Sequence, residues 1–348
     1  MRKLSPMWWN IGFQLLGILL AILFTTLILI LAGAPPFQTF KLIITGAFRT
    51  SNNISNDLVV WVPLILATVG VLVTFSAGMW NIGIEGQITL GAIFTTGVLR
   101  LLQGTSVPPA MIIILGIMAG MLGGAIWAAL AGALKTFGGV NEIFGGLGLN
   151  FVATALTLWL IFGPWQRPGV GSMSGTEPFP ASLWLPQIPE LRMSLWSLLL
   201  GVLGVVVVYL LLRSTYFGLK LKAVGKNIRA AFFLGIPTWQ YLMLSFVICG
   251  IFAGLAGAVQ VVAVYHRLIP SISSGYGFLG LLVAMLVNYQ AIWAAFIAFF
   301  YAALNIGAIQ LPIVLKLDST LSGILQGMLV LFVLIVDGIR QRYFKGKA

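Results

Sequence analysis

The chain has 348 residues, of which 60 % are hydrophobic and 7 % charged, with a formal net charge of +12. Its mean hydropathy is +1.07, and soluble domains are only about 45–50 % apolar by a broad count, so this composition excludes a soluble globular protein. A nucleic-acid-binding face is excluded too, because the 19 Lys and Arg residues are scattered between apolar segments. The composition predicts an all-α polytopic membrane protein, since the apolar segments are too long and uniform for barrel strands.

A hydrocarbon core of about 30 Å requires about 20 apolar residues in helical form. By that measure the sequence predicts about ten spans, near residues 11–33, 58–77, 86–103, 110–134, 146–163, 195–212, 239–263, 276–289, 291–309 and 320–337. With both termini in the cytoplasm, the inside segments hold 12 of the 19 basic residues: Arg2, Lys3, Lys135, Arg213, Lys220, Lys222, Lys226, Arg229, Arg340, Arg342, Lys345 and Lys347. The positive-inside rule therefore favours cytoplasmic termini.

The first polar interruption is GMWNIGIEGQITLGA, residues 78–92, where Asn81, Glu85 and Gln87 stand among glycines and apolar residues. A charged side chain facing lipid is costly, so this segment should face protein, a cavity or the cytoplasmic boundary. Glu85 is then either a contact for solute or ion, or a structural carboxylate that caps helix N-termini or fixes a bend. The structural alternative is the commoner one.

Small residues recur at every fourth position in two spans, which predicts closely packed scaffold helices. The two stripes are Gly116, Gly120, Gly124, Ala128 and Gly132, and then Gly250, Gly254 and Ala258. A third span, after the inside turn of KTFGGVNEIFGGLGLNFVATAL, carries Asn150 in apolar sequence. A buried Asn either links helices or lines a pore, and the link is the commoner case.

The longest basic inside loop is RSTYFGLKLKAVGKNIRAAFFLGIP, residues 213–237. It predicts a short helix over Asn227–Leu234, with Asn227 as its N-cap and Gly235 as its stop. The helix carries exposed aromatic residues, so it either docks on a soluble protein or lies on anionic lipid. The loop itself leaves both alternatives open.

A second short segment, IPSISSGYGFLGLLVAML, places Ser273, Ser274 and Tyr276 before a helix too short to span comfortably. Like residues 78–92, it comes one span into a four-span block. The blocks, 58–163 and 239–337, enter the membrane from opposite sides. This layout predicts an inverted repeat, in which broken helices mark the transport pathway.

No sequence motif indicates catalysis, because there is no P-loop, no H-E-x-x-H, no G-x-S-x-G and no Cys/His cluster. Cys249 and His266 are each the only residue of their type, so the sequence predicts neither a metal site nor a cofactor. If transport is driven by nucleotide hydrolysis, the ATPase must be another chain, and this chain is not itself an enzyme.

Three segments, MWNIGIEGQITLGAIFTTG, GGVNEIFGGLGLNFVATAL and LKAVGKNIRAAFFLGI, resemble permease subunits of bacterial ABC importers. More narrowly they resemble the nucleoside and simple-sugar branch, related to ribose and branched-chain amino-acid permeases, from Val59 to Asp337. The resemblance implies a type II-like importer fold, with residues 1–348 as a single transmembrane domain in the bacterial cytoplasmic membrane. It places residues 78–92 beside the solute pathway, and we assign to that pathway Asn81, Glu85, Gln87, Asn150, Ser273, Ser274 and Tyr276.

The same resemblance implies the partners: an ATP-binding subunit, a second permease chain, identical or different, and a substrate-binding lipoprotein or periplasmic protein. It implies that the loop 213–237 couples to the ATPase, through Ala223, Gly225, Asn227, Ala230, Ala231 and Gly235. The alternative function is a secondary transporter in which Glu85 couples solute to protons. A membrane-embedded enzyme is a third hypothesis, which the missing catalytic motif disfavours.

Overall fold

The computed structural model of the chain describes residues 6–169, 175–191, 193–287, 290–318 and 320–344. Within these ranges the secondary structure is helical, and the one strand-like feature is an isolated bridge between Ile188 and Met193. The α-helices are α1 (Pro6–Leu31), α2 (Pro36–Phe48), α3 (Ser51–Ser76), α4 (Ile84–Leu102), α5 (Pro109–Thr136), α6 (Glu142–Phe162), α7 (Leu195–Ser214), α8 (Tyr216–Lys226), α9 (Ile228–Phe233), α10 (Thr238–Val259), α11 (Tyr276–Leu286), α12 (Ala291–Ala308), α13 (Gln310–Val314) and α14 (Leu321–Phe344). The predicted all-α class is confirmed.

Among the described residues, six helical segments are long and apolar enough to cross a membrane: Ser51–Ser76, Pro109–Thr136, Glu142–Phe162, Leu195–Ser214, Thr238–Tyr265 and Ala291–Val314. A seventh span results if Leu16–Leu31 and Pro36–Phe48, which are bent by 114° relative to each other, count as one. The predicted spans at 276–289 and 320–337 correspond to shorter apolar stretches in the described residues, Tyr276–Leu286 and Gly323–Val336, and the span at 86–103 corresponds to α4, which is not among the six. The multi-pass prediction therefore holds, but the count of ten is not confirmed.

Part of the orientation prediction falls on residues that the structure does not describe. Arg2, Lys3, Lys345 and Lys347 lie outside the described residues. Residues 288–289, at the end of the predicted span 276–289, lie outside them as well. The cytoplasmic position of both termini stays a prediction.

The described helices fall into two compact units, one formed by Leu58–Ala298 and the other by the chain before and after it. The boundary at residue 298 lies within the predicted block 239–337, so the units do not coincide with the blocks of the predicted repeat. The inverted repeat stays a prediction. All predicted pathway and coupling residues belong to the larger unit.

Glycines bring the helices of the larger unit into backbone contact. A Cβ atom on Gly124 of α5 would meet the carbonyl oxygen of Gly250 on α10. A Cβ atom on Gly91 of α4 would likewise meet the backbone of Gly254. Helices in lipid gain little from the hydrophobic effect between them, so such close van der Waals packing holds them together. The close packing predicted from the small-residue stripes is confirmed, and the scaffold role stays a prediction.

In the smaller unit, α1 ends before Gly33, whose φ of +70° is left-handed, and Pro36 opens α2 with the fixed φ suited to a first helical position. Gly46 of α2 lies against Gly307 of α12. Around that contact, buried apolar side chains form a cluster: Ile43, Leu304, Ala308, Leu311 and Leu325. The helices of this unit therefore pack around a core of apolar side chains.

Candidate functional site

The first polar segment is a turn between two helices. After α3 ends at Ser76, Gly78 adopts a φ of +75°, which costs a residue with a Cβ atom more than glycine. The N–H of Met79 donates to the carbonyl of Thr74 at 3.0 Å, satisfying a group that the helix end leaves free. Residues 77–83, here called the polar turn, separate α3 from α4. Irregular backbone of this kind is tolerated at membrane depth only where protein or a cavity surrounds it.

Asn81 of the polar turn and Gln87 of α4 pair their amides. Asn81 Nδ2 donates to Gln87 Oε1 at 3.0 Å, and Gln87 Nε2 donates back to Asn81 Oδ1 at 2.9 Å. Both residues are buried, with 1 % and 0 % of their surfaces exposed. Asn81 Nδ2 also donates to the sulfur of Cys249 on α10, at 3.1 Å. Because an unpaired buried amide is costly, this pairing fixes the turn against two helices.

Glu85, in the first turn of α4, carries its carboxylate to the N-terminus of α11. The backbone N–H of Phe278 donates to Glu85 Oε1 at 3.0 Å, and the N–H of Gly277 and the Ser273 side chain also hydrogen-bond the carboxylate. A Cβ atom on Gly277 would lie 3.1 Å from Oε1 and 2.8 Å from the Ile84 side chain, so the close approach depends on glycine. These are the contacts of a capping carboxylate, made on a neighbouring helix and not on its own.

Asn150 braces the same region from α6. Its Oδ1 accepts from the N–H of Gly86 at 2.8 Å, and its Nδ2 donates to the carbonyl of Ile82 at 2.9 Å. The side chain thereby links α6 to both the polar turn and the first turn of α4, as expected of an Asn that joins helices. Beside it, the indole N–H of Trp127 is buried and has no hydrogen-bond partner in the described chain. Trp127 is a candidate functional residue that sequence reasoning missed, because one tryptophan in an apolar span gives no local signal.

Ser274 lies in the turn before α11 and Tyr276 is the first residue of α11, and neither side chain hydrogen-bonds to Glu85. Ser274 has a left-handed φ of +50°, and its hydroxyl lies 3.2 Å from that of Tyr265. Tyr276 is buried at the start of α11, and its N–H donates to the carbonyl of Ser273 at 2.9 Å. The structure gathers the other predicted pathway residues around the start of α4: Asn81, Glu85, Gln87, Asn150 and Ser273.

A π-helix over Gln260–Tyr265 continues α10, and sequence reasoning did not predict it. Buried Gln260 donates its Nε2 to the carbonyl of Ile272 at 3.3 Å. Residues 175–191, here called the outer loop because the predicted orientation places them outside, cover the same segment. The N–H of Leu185 in this loop donates to the carbonyl of Val262 at 2.9 Å. Single π-helical turns occur often at functional sites. The lone glutamine in an apolar span was the only available signal.

A cavity of about 400 Å³ lies between the end of α4 and the outer loop. Its lining includes Arg100, Gln103, Glu177 and Phe179. The guanidinium carbon of Arg100 stands 5.6 Å from the ring centroid of Trp165, a cation–π arrangement. The cavity therefore presents one cation and one anion on the face predicted to lie outside.

The predicted short helix in the loop 213–237 is present as α9. Asn227 caps it, because its Oδ1 accepts from the N–H of Ala230 at 3.0 Å. Gly235, with a φ of +78°, follows its end. Ala230 is exposed, whereas Ala231 is 2 % exposed and packs inward. The N-cap and the glycine stop inferred from the sequence are confirmed.

The other two predicted coupling residues lie on α8. The carbonyl of Ala223 accepts from the N–H of Asn227 at 3.2 Å, which ends α8 where α9 begins. Gly225 lies against the backbone of Ser76 and Gly78, so a Cβ atom at this position would push the two backbones apart. As for metals, no group of three or more His, Cys, Asp or Glu side chains in the described ranges could hold an ion.

Residues 53–334 match the family model described as branched-chain amino acid transport system / permease component. The chain is similar to the glucose ABC transporter permease protein TsgB13 of Haloferax volcanii, with 29 % identity over 100 % of this chain and 93 % of that one. The guanosine ABC transporter permease protein NupP of Bacillus subtilis is 26 % identical over 94 % and 93 % of the two chains. The nucleoside ABC transporter permease protein NupB of Lactococcus lactis is 25 % identical over 84 % and 82 %.

Among solved structures, PsaBC from Streptococcus pneumoniae in complex with Fab has a TM-score of 0.48 at 16 % identity. The superposition covers 88 % of this chain and 99 % of that one. A likeness this loose carries no argument about the fold, which is described above from the helices themselves.

Proposed function

The chain belongs to the family of branched-chain amino acid transport system permease components, and from that premise we propose that it is the membrane-spanning subunit of an ATP-driven importer for a nucleoside or a related simple-sugar-type solute. Relatives that carry the names of glucose, guanosine and nucleoside ABC transporter permeases support this cargo class. ATP hydrolysis belongs to a separate subunit, because the chain carries no nucleotide-binding motif.

The observation that most supports an ATP-driven mechanism is a group of exposed apolar side chains at the end of α9, here called the tip of α9. Phe232, Phe233 and Leu234 expose 65 %, 86 % and 79 % of their surfaces, on a helix that Asn227 caps firmly. Apolar side chains clustered at the end of a loop favour a protein partner that buries them. The partner that this mechanism requires on the cytoplasmic side is the ATPase, and it docks on the exposed tip of α9 within the loop 213–237.

Two further partners complete the proposed importer. A second permease chain, identical or different, lines the solute path together with this one. A substrate-binding lipoprotein or periplasmic protein delivers the solute on the outer side, where Arg100 and Glu177 line the cavity. The assembly resides in the cytoplasmic membrane with both termini of this chain inside.

The contacts of Glu85 support a structural role over proton coupling. Its carboxyl group accepts hydrogen bonds from the first turn of α11, which are the contacts of a side chain that caps a helix. The residues around the start of α4 therefore form one side of the solute pathway, and hydrogen bonds between helices hold them in place. The secondary-transporter hypothesis is disfavoured on this ground and by the family.

Uptake by intact cells tests the cargo class. Cells that lack this chain, and cells to which it has been restored, are given labelled guanosine, glucose or leucine. We expect the restored chain to recover uptake of guanosine or glucose, while leucine uptake stays the same in both strains. Recovery of leucine uptake alone would contradict the proposal, and a variant with Phe233→Asp provides the inactive control.

A further inference from the structure

The C-terminal turn of α8 touches the polar turn backbone to backbone. A Cβ atom on Gly225 would meet the carbonyl oxygen of Ser76, and one on Gly78 would lie 2.9 Å from the carbonyl oxygen of Gly225. Gly78 also needs its left-handed φ of +75°. The nearest atoms on both sides of this contact are backbone atoms, so movement of one segment toward the other must displace it.

On its other faces α8 is fixed firmly to the permease body. Leu221 and Val224 are fully buried, and Lys222 Nζ donates to the carbonyl of Leu212 at 2.6 Å. Gly218 lies directly against the backbone of Leu212, at the corner between α7 and α8. Because Asn227 alone separates α8 from α9, a force on the exposed tip of α9 reaches Gly225 through a short, well-packed segment.

Beyond the contact, hydrogen bonds tie the polar turn to further helices. Asn81 bonds to Gln87 on α4 and to Cys249 on α10, and the carbonyl of Ile82 accepts from Asn150 on α6. Through α4, the Glu85 carboxylate holds the first turn of α11. A shift of the polar turn would therefore displace the start of α4 and the parts of α6, α10 and α11 that are hydrogen-bonded to this region.

We propose that the contact between Gly78 and Gly225 is the joint that passes movement of the ATPase-docking helix to the polar turn and so to the solute pathway. This inference rests on the proposed function, because it requires an ATPase on α9. Gly78 and Gly225 are positioning residues, since neither touches solute or nucleotide. A measurement of coupling between ATP hydrolysis and uptake tests the joint directly.

The variant Gly225→Ala adds one methyl group at the joint. Its matched control is Gly148→Ala, on α6, where a Cβ atom would meet nothing within 4 Å. Each variant is purified with its ATPase, placed in vesicles with the complete importer, and assayed for solute taken up per ATP hydrolysed. We expect Gly225→Ala to keep its bound ATPase and its ATP hydrolysis while uptake per ATP falls about tenfold, within the usual range of coupling between sites. Gly148→Ala should match the wild type.

The outcomes separate this inference from the proposed function. If the wild-type chain does not copurify with an ATPase, the proposed function fails and the joint fails with it. If Gly225→Ala keeps normal uptake per ATP at normal yield, only the joint is wrong.

If Gly225→Ala lowers the yield of folded protein, hydrogen exchange on the wild-type complex tests the joint instead. The amides of residues 77–79 should change their protection when ATP binds to the ATPase, and unchanged protection would overturn the inference.

Discussion

Glu85 carries its charge to the first turn of a neighbouring helix and not to lipid or solvent. The helix N-terminus offers N–H groups that lack partners within the helix, and the carboxylate accepts from two of them, Gly277 and Phe278. The Ser273 side chain adds a third donor. Three donors and the helix dipole offset only part of the cost of burying this charge, because desolvation of the carboxylate outweighs its hydrogen bonds.

Substitution of Glu85 separates a capping role from a solute contact. Glu85→Gln keeps an acceptor for Phe278 but loses the charge, so we expect a loss of about 0.3–1 kcal/mol in folding stability. Glu85→Ala loses the acceptor as well and should cost about 1–2 kcal/mol, as removal of a helix cap does. Thermal unfolding of the purified chain measures both. If Glu85→Ala unfolds like the wild type and yet abolishes uptake, Glu85 contacts solute and the capping role is wrong.

The polar residues of the site could be picked out from the sequence, but their partners could not. Asn81, Glu85 and Gln87 stand out because polar groups are expensive in apolar sequence. Cys249 is 168 positions away from Asn81, and no local pattern links the two residues. The same holds for Phe278, whose N–H binds Glu85 across 193 positions. Tertiary packing selects such partners, so they appear only in the structure.

At the scale of elements, sequence reasoning succeeded where short-range chemistry sets the boundary. Asn227 and Gly235 delimit α9, since one caps the helix and the other takes the left-handed φ after it. A broken helix was likewise expected within residues 78–92, although Gly86 of that segment lies inside α4 and the break is at residues 77–83. The π-helix Gln260–Tyr265 was missed because the carbonyls it exposes are satisfied by the outer loop, far away in sequence. Likewise, apolar length alone predicted a longer helix than α11.

The exposed tip of α9 gives a prediction for ATPase docking. Phe233→Asp places a charge where the partner buries an aromatic ring, and we expect recovery of copurified ATPase to fall at least about tenfold, as at interface hot spots. Since Phe233 is 86 % exposed, the fold should tolerate the change. Ala231 is a poorer site for this test because it is buried.

The control is Tyr216→Asp, because Tyr216 is 82 % exposed in the same loop but stands at the far end of α8. This variant should keep the ATPase. Normal copurification by Phe233→Asp, with normal membrane insertion, would show that the tip serves another surface, such as anionic lipid.

At the scale of the whole molecule, the two termini lie on the same side of the membrane only if the number of spans is even. Within the part of the chain that the structure describes, the helices give six spans, or seven if the bent pair is one, whereas the charge distribution favours an even number with both ends inside. A reporter that is active only in the cytoplasm, fused after Ala348, should therefore be active. The same reporter inserted after Gln187 in the outer loop should be silent. Activity in the reverse pattern, on stable fusions, would invert the orientation.

The energy source is the most direct test of the proposed importer. Right-side-out vesicles that contain the whole complex and its binding protein are loaded with ATP or with a non-hydrolysable analogue, and uptake of the recovered solute is measured with and without a pH gradient. The account predicts uptake with ATP alone, no uptake with the analogue, and no effect of the gradient. Uptake driven by the gradient without ATP, and lost in Glu85→Gln, would contradict it and identify the chain as a secondary transporter.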